Sequence, residues 1–288
     1  MVGGADARSF LQGLVSNDVE AVTPTRAVYA ALLTPQGRYL HDFFMLEIAG
    51  AIALDCEAPR RADLLSRLTR YRLRAKVTLA DGSDHWTVAL IFGPGAAEAF
   101  QLAGGPGAVQ GRNGGVVYID PRRPALGLRA MLPRGGATAA LAGLGLRPGS
   151  LEDYERLRLS LGVPDGSRDL PVEKAILLEN GFDALNGIGW DKGCYVGQEL
   201  TARTRYRGLV RKRLLPVTIE GPVPAWGTPV TCGGAEAGEM RTAMPGIGLA
   251  MLRLEFLESS AAGELRADGA LLTPVATSAP CCLNLPST

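Results

Sequence analysis

Residues 192–199 have the sequence Lys-Gly-Cys-Tyr-Val-Gly-Gln-Glu, and this octapeptide does most to decide how the 288-residue chain is interpreted. Four glycines lie within eleven residues around Cys194, so the backbone here is able to take positive φ angles or approach a ligand closely. The polar start at Gln198 is typical of a helix, whose N–H groups would point back toward the cysteine. Such a position, with Lys192 two residues away, favours a thiolate. The stretch predicts a functional thiol at Cys194 assisted by Lys192, and a compact buried cysteine is the alternative.

A basic run follows the octapeptide and contains no acidic residue: Arg203, Arg205, Arg207, Arg211, Lys212 and Arg213. One interpretation is an anion site for a folate glutamate tail, a phosphate or an RNA backbone. The other is a solvated strand face leading into the next domain. The alternation of arginines at 203, 205 and 207 favours this second interpretation, because side chains alternate between the two faces of a strand.

The chain after about residue 214 changes character, since helical periodicity gives way to short apolar segments between Gly and Pro turns. This pattern predicts a small β-barrel or sandwich, with strands at 214–219, 228–232, 247–254 and 271–276. The boundary falls at 210–214.

The region before this boundary alternates hairpins and helices, which predicts an α+β architecture. Residues 27–48 form a hairpin candidate around a turn at 34–37, and 104–115 is predicted to be a glycine-rich loop. Further strands are predicted at 51–54, 74–79, 86–92, 116–119 and 126–131. Helices are predicted from Pro59 onward and at 137–144 and 152–161.

The composition narrows the class of protein. A net charge of +1 gives no global field that would favour nucleic acid or an anionic membrane, so we expect neither as a direct partner. Five cysteines without a C-x-x-C spacing predict neither a disulfide framework nor a metal site. No apolar run reaches the length of a membrane span. The first six residues do not form a secretory signal or a typical transit peptide, and we expect a cytoplasmic location.

The octapeptide closely resembles the K-G-C-[YF]-x-G-Q-E signature of the YgfZ-type folate-binding family, which serves iron–sulfur cluster assembly and repair. The segments 10–19 and 31–38 are similar to N-terminal segments shared by this family and the glycine-cleavage T-protein. The segment 246–250 resembles the C-terminal barrel of the same superfamily. The similarity thus touches the beginning, the middle and the end of the chain.

This resemblance implies two related ferredoxin-like α/β modules plus a C-terminal β-barrel, arranged as the three-domain ring of the T-protein. We accordingly expect a folate-binding α/β region at 1–212, with interleaved modules and the second at roughly 76–150, and a barrel at 213–288. The resemblance also implies a tetrahydrofolate-binding accessory protein for iron–sulfur enzymes or assembly proteins, including enzymes that modify tRNA. We expect it to act as a monomer.

The resemblance implies a set of site residues as well. Cys194 matches the signature cysteine and Lys192 accompanies it. Tyr195, Gln198 and Glu199 belong to the same signature, and Glu179 lies where the resemblance implies a folate-contacting acid. From the residues themselves, Asn17, Asp18 and Asp42 are further candidate contacts to a pterin, and Asx-turn chemistry and loop polarity are the alternative. Arg205 of the basic run is a candidate contact to the folate tail. No metal ligand is expected.

Two other functions remain open from the sequence. A folate-dependent aminomethyltransferase or methyltransferase of the T-protein type would centre its chemistry on Asp42 or Glu179. However, the chain has His41-Asp42 where the T-protein has an acidic pair, and the T-protein lacks the cysteine signature. An RNA-binding module using the basic run would show a steep dependence of binding on salt.

Overall fold

The computed structural model describes residues 1–208, 210–258 and 263–275. Cys281 and Cys282 lie outside this part. The chain divides into two compact units. The first comprises residues 1–35, 40–148 and 186–198, and the second comprises residues 36–39, 149–185 and 199–288.

The first unit begins with a five-stranded sheet in the order β2-β3-β4-β1-β5. Its strands are β1 (Val2–Gly3), β2 (Val28–Leu33), β3 (Tyr39–Ile48), β4 (Ala51–Cys56) and β5 (Thr78–Leu79), and its helices are α1 (Ala7–Gln12) and α2 (Arg61–Arg72). β3 and β4 form an antiparallel hairpin. Its turn is Ala49-Gly50, whose φ angles of 52° and 76° match the right-handed twist of the strands. The adjacent β2 and β3 confirm the predicted hairpin at 27–48.

A four-stranded sheet in the order β6-β9-β8-β7 completes the first unit. It contains β6 (Trp86–Ile91), β7 (Val109–Arg112), β8 (Gly115–Ile119) and β9 (Leu128–Pro133), with α3 (Ala96–Ala99) and α4 (Ala137–Leu141). The expected loop over 104–115 is therefore wrong at 109–112. Asn113-Gly114, with φ angles of 44° and 79°, makes the tight turn of a β7–β8 hairpin.

A buried ion pair links the two sheets of the first unit. Asp55 on β4 accepts hydrogen bonds at Oδ2 from the Tyr118 hydroxyl at 2.8 Å and from Arg129 Nη2 at 2.8 Å. The Arg129 guanidinium also lies 4.4 Å from the centre of the Phe44 ring. Burial raises the pKa of Tyr118 well above its ordinary value, so the phenol stays protonated and donates.

The second unit contains a closed barrel in the order β10-β13-β12-β11-β14-β15. Its strands are β10 (Lys212–Glu220), β11 (Pro229–Cys232), β12 (Ala235–Met244), β13 (Ile247–Arg253), β14 (Leu265–Ala267) and β15 (Ala270–Pro274). The helices outside the first unit are α5 (Leu151–Ser160), α6 (Gly166–Asp169), α7 (Gln198–Tyr206) and α8 (Glu255–Glu258). Short 3-10 turns occupy Val19–Ala21, Ala58–Arg60, Pro124–Leu126, Arg134–Gly136 and Leu178–Asn180.

Two features of the second unit differ from the sequence-based prediction. Arg203 and Arg205 lie on helix α7 and not on a strand, so their alternation does not mark a strand face. β12 and β14 were not predicted. The alternation of β12 is interrupted by an irregularity between Met240 and Ala243, and β14 has only three residues. β10 begins at Lys212, next to the expected domain boundary at 212/213. Residues 149–185 and 199–211, which were expected to belong to the α/β region, group with the barrel in the second unit. In the part that the structure describes, no helix has the length and apolar character that crossing a membrane requires.

The Asp55 ion pair gives a stability prediction. Asp55→Asn removes the charge that balances Arg129, whose side chain is only 14% exposed. We expect the free energy of unfolding to fall by about 3 kcal/mol, because an uncompensated charge stays buried. Urea titration followed by circular dichroism measures this change.

Glu236→Gln is the matched control, because it removes a carboxylate that is 70% exposed and 3.3 Å from Arg253. Its cost should stay within about 0.5 kcal/mol. Equal costs for the two variants would contradict a special role for the buried pair.

Candidate functional site

Cys194 differs from the other cysteines that the structure describes, because it alone is exposed. Cys56 is half-buried, and desolvation raises the pKa of its thiol to about 11. Cys232 is buried in the barrel, where its Sγ donates to the Gly263 carbonyl oxygen at 3.5 Å. The exposure of Cys194 does not fit the alternative of a compact buried cysteine.

Cys194 lies on residues 186–197, which we call the signature loop. Main-chain bonds fasten this loop to residues 12–18, the N-terminal segment: Gly189 N donates to Ser16 O at 3.0 Å and Val196 N donates to Gly13 O at 3.0 Å. The buried Ser16 hydroxyl donates to Gly187 O at 2.6 Å. The loop is thus anchored on either side of the thiol.

Lys192 makes the densest contact between these two segments. Its ammonium donates to the carbonyl oxygens of Gln12 at 2.9 Å, Val15 at 2.6 Å and Asn17 at 2.8 Å. Desolvation lowers the pKa of Lys192 to about 8, so the charged form still predominates at neutral pH. All three N–H groups are directed at main-chain oxygens, so none of them is directed at Cys194.

Two glycines of the signature loop have opposite steric surroundings. A Cβ on Gly189 would lie 2.9 Å from Asn17 Oδ1 and 2.9 Å from Asp18 N, closer than real Cβ atoms come to such atoms. A Cβ on Gly193 would meet nothing within 4 Å. Gly189 is therefore required by packing, whereas the described part of the chain leaves open space beside Gly193.

Asn17 serves the loop anchor, and its amide has no donor left for a folate. The Asn17 amide donates to Tyr29 O at 2.8 Å and to Asn186 O at 2.7 Å, while its Oδ1 accepts from Asp18 N at 2.8 Å. Asp18 Oδ1 accepts from Gln12 Nε2 at 2.7 Å. Both donors of the Asn17 amide are used within the chain, so none is left for a ligand.

Asp42 belongs to a buried cluster that the sequence did not reveal. Its Oδ2 accepts from the Tyr29 hydroxyl at 2.8 Å, and burial raises the pKa of Tyr29. Arg122 lies over the Tyr29 and Phe44 rings at 5.5 and 4.8 Å and pairs with Asp120 at 2.8 Å. Asp120 and Arg122 lie in a polar turn after β8, and this turn was the only sign of the cluster in the sequence. The spacing of its residues does not show that Arg122 stacks on the two rings.

Glu179 and Arg205 lie in the second unit. Glu179 is half-buried, and desolvation raises the pKa of its carboxyl against the opposing effect of Lys212, whose Nζ is 3.8 Å away. A partly desolvated carboxyl is suited to accept hydrogen bonds from a polar heterocycle. Arg205 is exposed, and its guanidinium lies 5.9 Å from the centre of the Tyr206 ring.

The remaining predicted residues lie around the start of α7. Tyr195 is buried, with the Lys192 ammonium 4.9 Å from its ring centre, and Gln198 N donates to Tyr195 O at 3.2 Å. Glu199 is exposed in the first turn of α7, where a carboxylate stabilises the positive end of the helix dipole. Within the described residues, no three His, Cys, Asp or Glu side chains are grouped so as to hold a metal ion.

Comparisons with known proteins match the two ends of the chain to separate domain families. Residues 1–105 match the GCVT N-terminal domain, and residues 211–280 match the C-terminal beta-barrel domain of CAF17. The structure of the glycine cleavage system aminomethyltransferase T from Bartonella henselae superposes with a TM-score of 0.75 and 14% identity, covering 95% of this chain and 81% of that one. This likeness confirms the T-protein-like fold.

Two curated relatives match most of the chain. The mitochondrial iron–sulfur cluster assembly factor IBA57 of Mus musculus is 35% identical over 277 residues, 89% of this chain and 75% of that protein. The Homo sapiens protein of the same name is 36% identical over 272 residues, 87% of this chain and 74% of that protein. Because these relatives are named as mitochondrial, the expected cytoplasmic location is wrong.

The two glycines of the signature loop provide a matched test of the anchor. We expect Gly189→Ala to lower the free energy of unfolding by about 1–3 kcal/mol, since its methyl group clashes with the N-terminal segment. Gly193→Ala should change it by less than about 0.5 kcal/mol. Urea titration of both variants would contradict the described anchor if their midpoints moved equally.

Proposed function

This chain belongs to the family of the IBA57 iron–sulfur cluster assembly factors, and on that premise we propose that Cys194 is the thiol it presents to partner proteins during cluster assembly. The observation that carries this proposal is the exposure of Cys194 on an anchored loop, in contrast to the shielded Cys56 and Cys232. An anchored loop holds a thiol at a fixed place without an ordering cost on binding. The open space at Gly193 supports an approach from outside the chain.

The partners we propose are iron–sulfur enzymes and the proteins that assemble their clusters. The resemblance of the octapeptide to the YgfZ-type signature supports a finer proposal, that these enzymes include ones that modify tRNA. No helix suited to a membrane occurs in the described part, and the proposed contact is one between proteins.

Replacement of Cys194 tests this function. In cells that lack their own factor, Cys194→Ser should fail to restore the activity of an iron–sulfur enzyme that depends on the factor, because a hydroxyl is a far weaker nucleophile and ligand than a thiolate. We expect activity at least about tenfold below that of the wild-type chain. Cys56→Ser, at a thiol kept protonated by burial, is the control and should restore activity.

Full activity of Cys194→Ser at equal protein abundance would contradict the proposal. Measurement of tRNA modification in the same cells tests the finer proposal that the client enzymes include ones that modify tRNA. Restored enzyme activity without restored tRNA modification would contradict this finer proposal and leave the assembly function in place.

We further propose that the chain binds tetrahydrofolate. The support is a T-protein-like fold together with Glu179, a half-buried carboxyl with a raised pKa that is suited to accept from the N–H groups of a reduced pterin. Bound folate would supply one-carbon chemistry, and the role of Glu179 would be to orient its ring. Asn17 is no longer among the proposed contacts, because its amide is used within the chain.

Calorimetric titration of tetrahydrofolate under reducing conditions tests this second proposal. We expect a dissociation constant on the order of 1 μM, which corresponds to about −8 kcal/mol. Glu179→Gln should weaken binding by about tenfold, the loss of one charge-assisted hydrogen bond. Cys194→Ala should bind as the wild type does, and Glu152→Gln, whose side chain is 70% exposed, is the control.

Absence of binding to folded wild-type protein would contradict the folate proposal and leave the role of Cys194 untouched. Binding that Glu179→Gln does not weaken would contradict the assignment of this residue.

A further inference from the structure

The Lys192 ammonium is placed among one acceptor at a helix end and two acceptors in the residues that follow it. Gln12 is the last residue of α1, and the last four carbonyls of any helix lack partners within it. The ammonium donates to Gln12 O and to two further carbonyl oxygens of the N-terminal segment, those of Val15 and Asn17. A cation at a helix C-terminus is also favoured by the helix dipole.

The shape of the donor matches this set of acceptors. An ammonium has three N–H groups pointing away from one nitrogen, and three carbonyl oxygens lie 2.6 to 2.9 Å from that nitrogen. The Tyr195 ring lies 4.9 Å from the same atom and adds a cation–π contact. A planar guanidinium would spread its donors and could not direct them to three oxygens around one point.

We propose that Lys192 is a positioning residue for Cys194, which fixes the signature loop to the N-terminal segment and does not act on the thiol itself. This inference rests on the proposed function of Cys194. Lys192 is two residues from the thiol in sequence and 175 to 180 residues from the carbonyls that it binds. Through this contact the end of α1 determines where Cys194 is held.

Two other roles for Lys192 make different predictions. An electrostatic activator of the thiol needs only a positive charge, so Lys192→Arg would keep function. A side chain that merely fills space needs neither charge nor donors, so Lys192→Met would keep function. Positioning by three directed hydrogen bonds requires that both variants lose it.

The test uses the full chain in the maturation assay with Lys192→Met, Lys192→Arg and, as a control, Lys174→Met at an exposed lysine. We expect both Lys192 variants to lose about tenfold or more of the restored enzyme activity, because a misplaced reactive group is costly. Hydrogen exchange should become about tenfold faster in residues 12–18 and 186–197, with exchange in the barrel unchanged. The Lys174→Met variant should match the wild type.

The charge dependence of Cys194 alkylation distinguishes a positioning role of Lys192 from an electrostatic effect of its charge on the thiol. Rates with neutral iodoacetamide and anionic iodoacetate are measured at Cys194 by peptide mass spectrometry. Because three carbonyl oxygens within 2.9 Å of the ammonium offset its charge, we expect Lys192→Met to change the ratio of the two rates by less than about twofold. A selective loss of iodoacetate reactivity would instead identify an electrostatic role and overturn the proposal.

Retained function in either Lys192 variant would also overturn the positioning role of Lys192. Unchanged hydrogen exchange in residues 12–18 would do the same. If Lys192→Met does not fold, Lys192→Arg and its exchange pattern decide the question. Full activity of Cys194→Ser would mark a failure of the proposed function, whereas a Cys194→Ser defect with active Lys192 variants would mark a failure of the positioning role alone.

Discussion

The contact on which the candidate site depends is a partly buried ammonium shared by three main-chain oxygens. Lys192 reaches the end of α1 from a point 175 to 180 residues further along the chain. Closing so long a loop costs chain entropy, and the closure is held by several bonds at once, including those of Ser16 and Asn17 to residues of the signature loop. The absence of a side chain at Gly189 lets the two segments approach. Without this closure the signature loop would have no fixed surface to lie on.

This closure explains how the chain keeps one thiol accessible and still ordered. Burial would order a cysteine, but it would also keep it protonated, as it does for Cys56. Exposure on an unanchored loop would leave the thiol mobile, so a partner would have to order the loop on binding. The bonds of Gly189 and Val196 lie on either side of Cys194, and the tight packing falls on the main chain and on Lys192. The thiol is thereby fixed through its neighbours.

Local patterns predicted much of the fold, and long-range contacts account for what was missed. The β2–β3 hairpin and the barrel strands β10, β11, β13 and β15 follow from short apolar segments between turn residues. β12 carries charged side chains and an irregularity, and it is a strand because the barrel closes around it. Cys194 was identified from its sequence context. The hydrogen-bond partners of Lys192 could not be predicted from the sequence. Every residue has a carbonyl oxygen, and no side-chain pattern marks which three will accept from an ammonium. The stacking of Arg122 on Phe44 was not predicted either, because the two residues are far apart in the sequence and no local pattern brings them together.

The likeness to an aminomethyltransferase concerns the backbone, at 14% identity. Where the T-protein resemblance implies an acidic pair, this chain has His41-Asp42. His41 is buried, and desolvation lowers its pKa to about 4, so the imidazole is neutral at physiological pH. Its Nε2 lies 2.9 Å from Asp63 Oδ2, which ties it to α2. Asp42, the one carboxyl left at this place, accepts from the Tyr29 hydroxyl. His41 is thus a neutral structural contact, and the signature loop carries an exposed cysteine. Because function belongs to the site and not to the fold, these two differences weigh more for the activity of this chain than the shared architecture does.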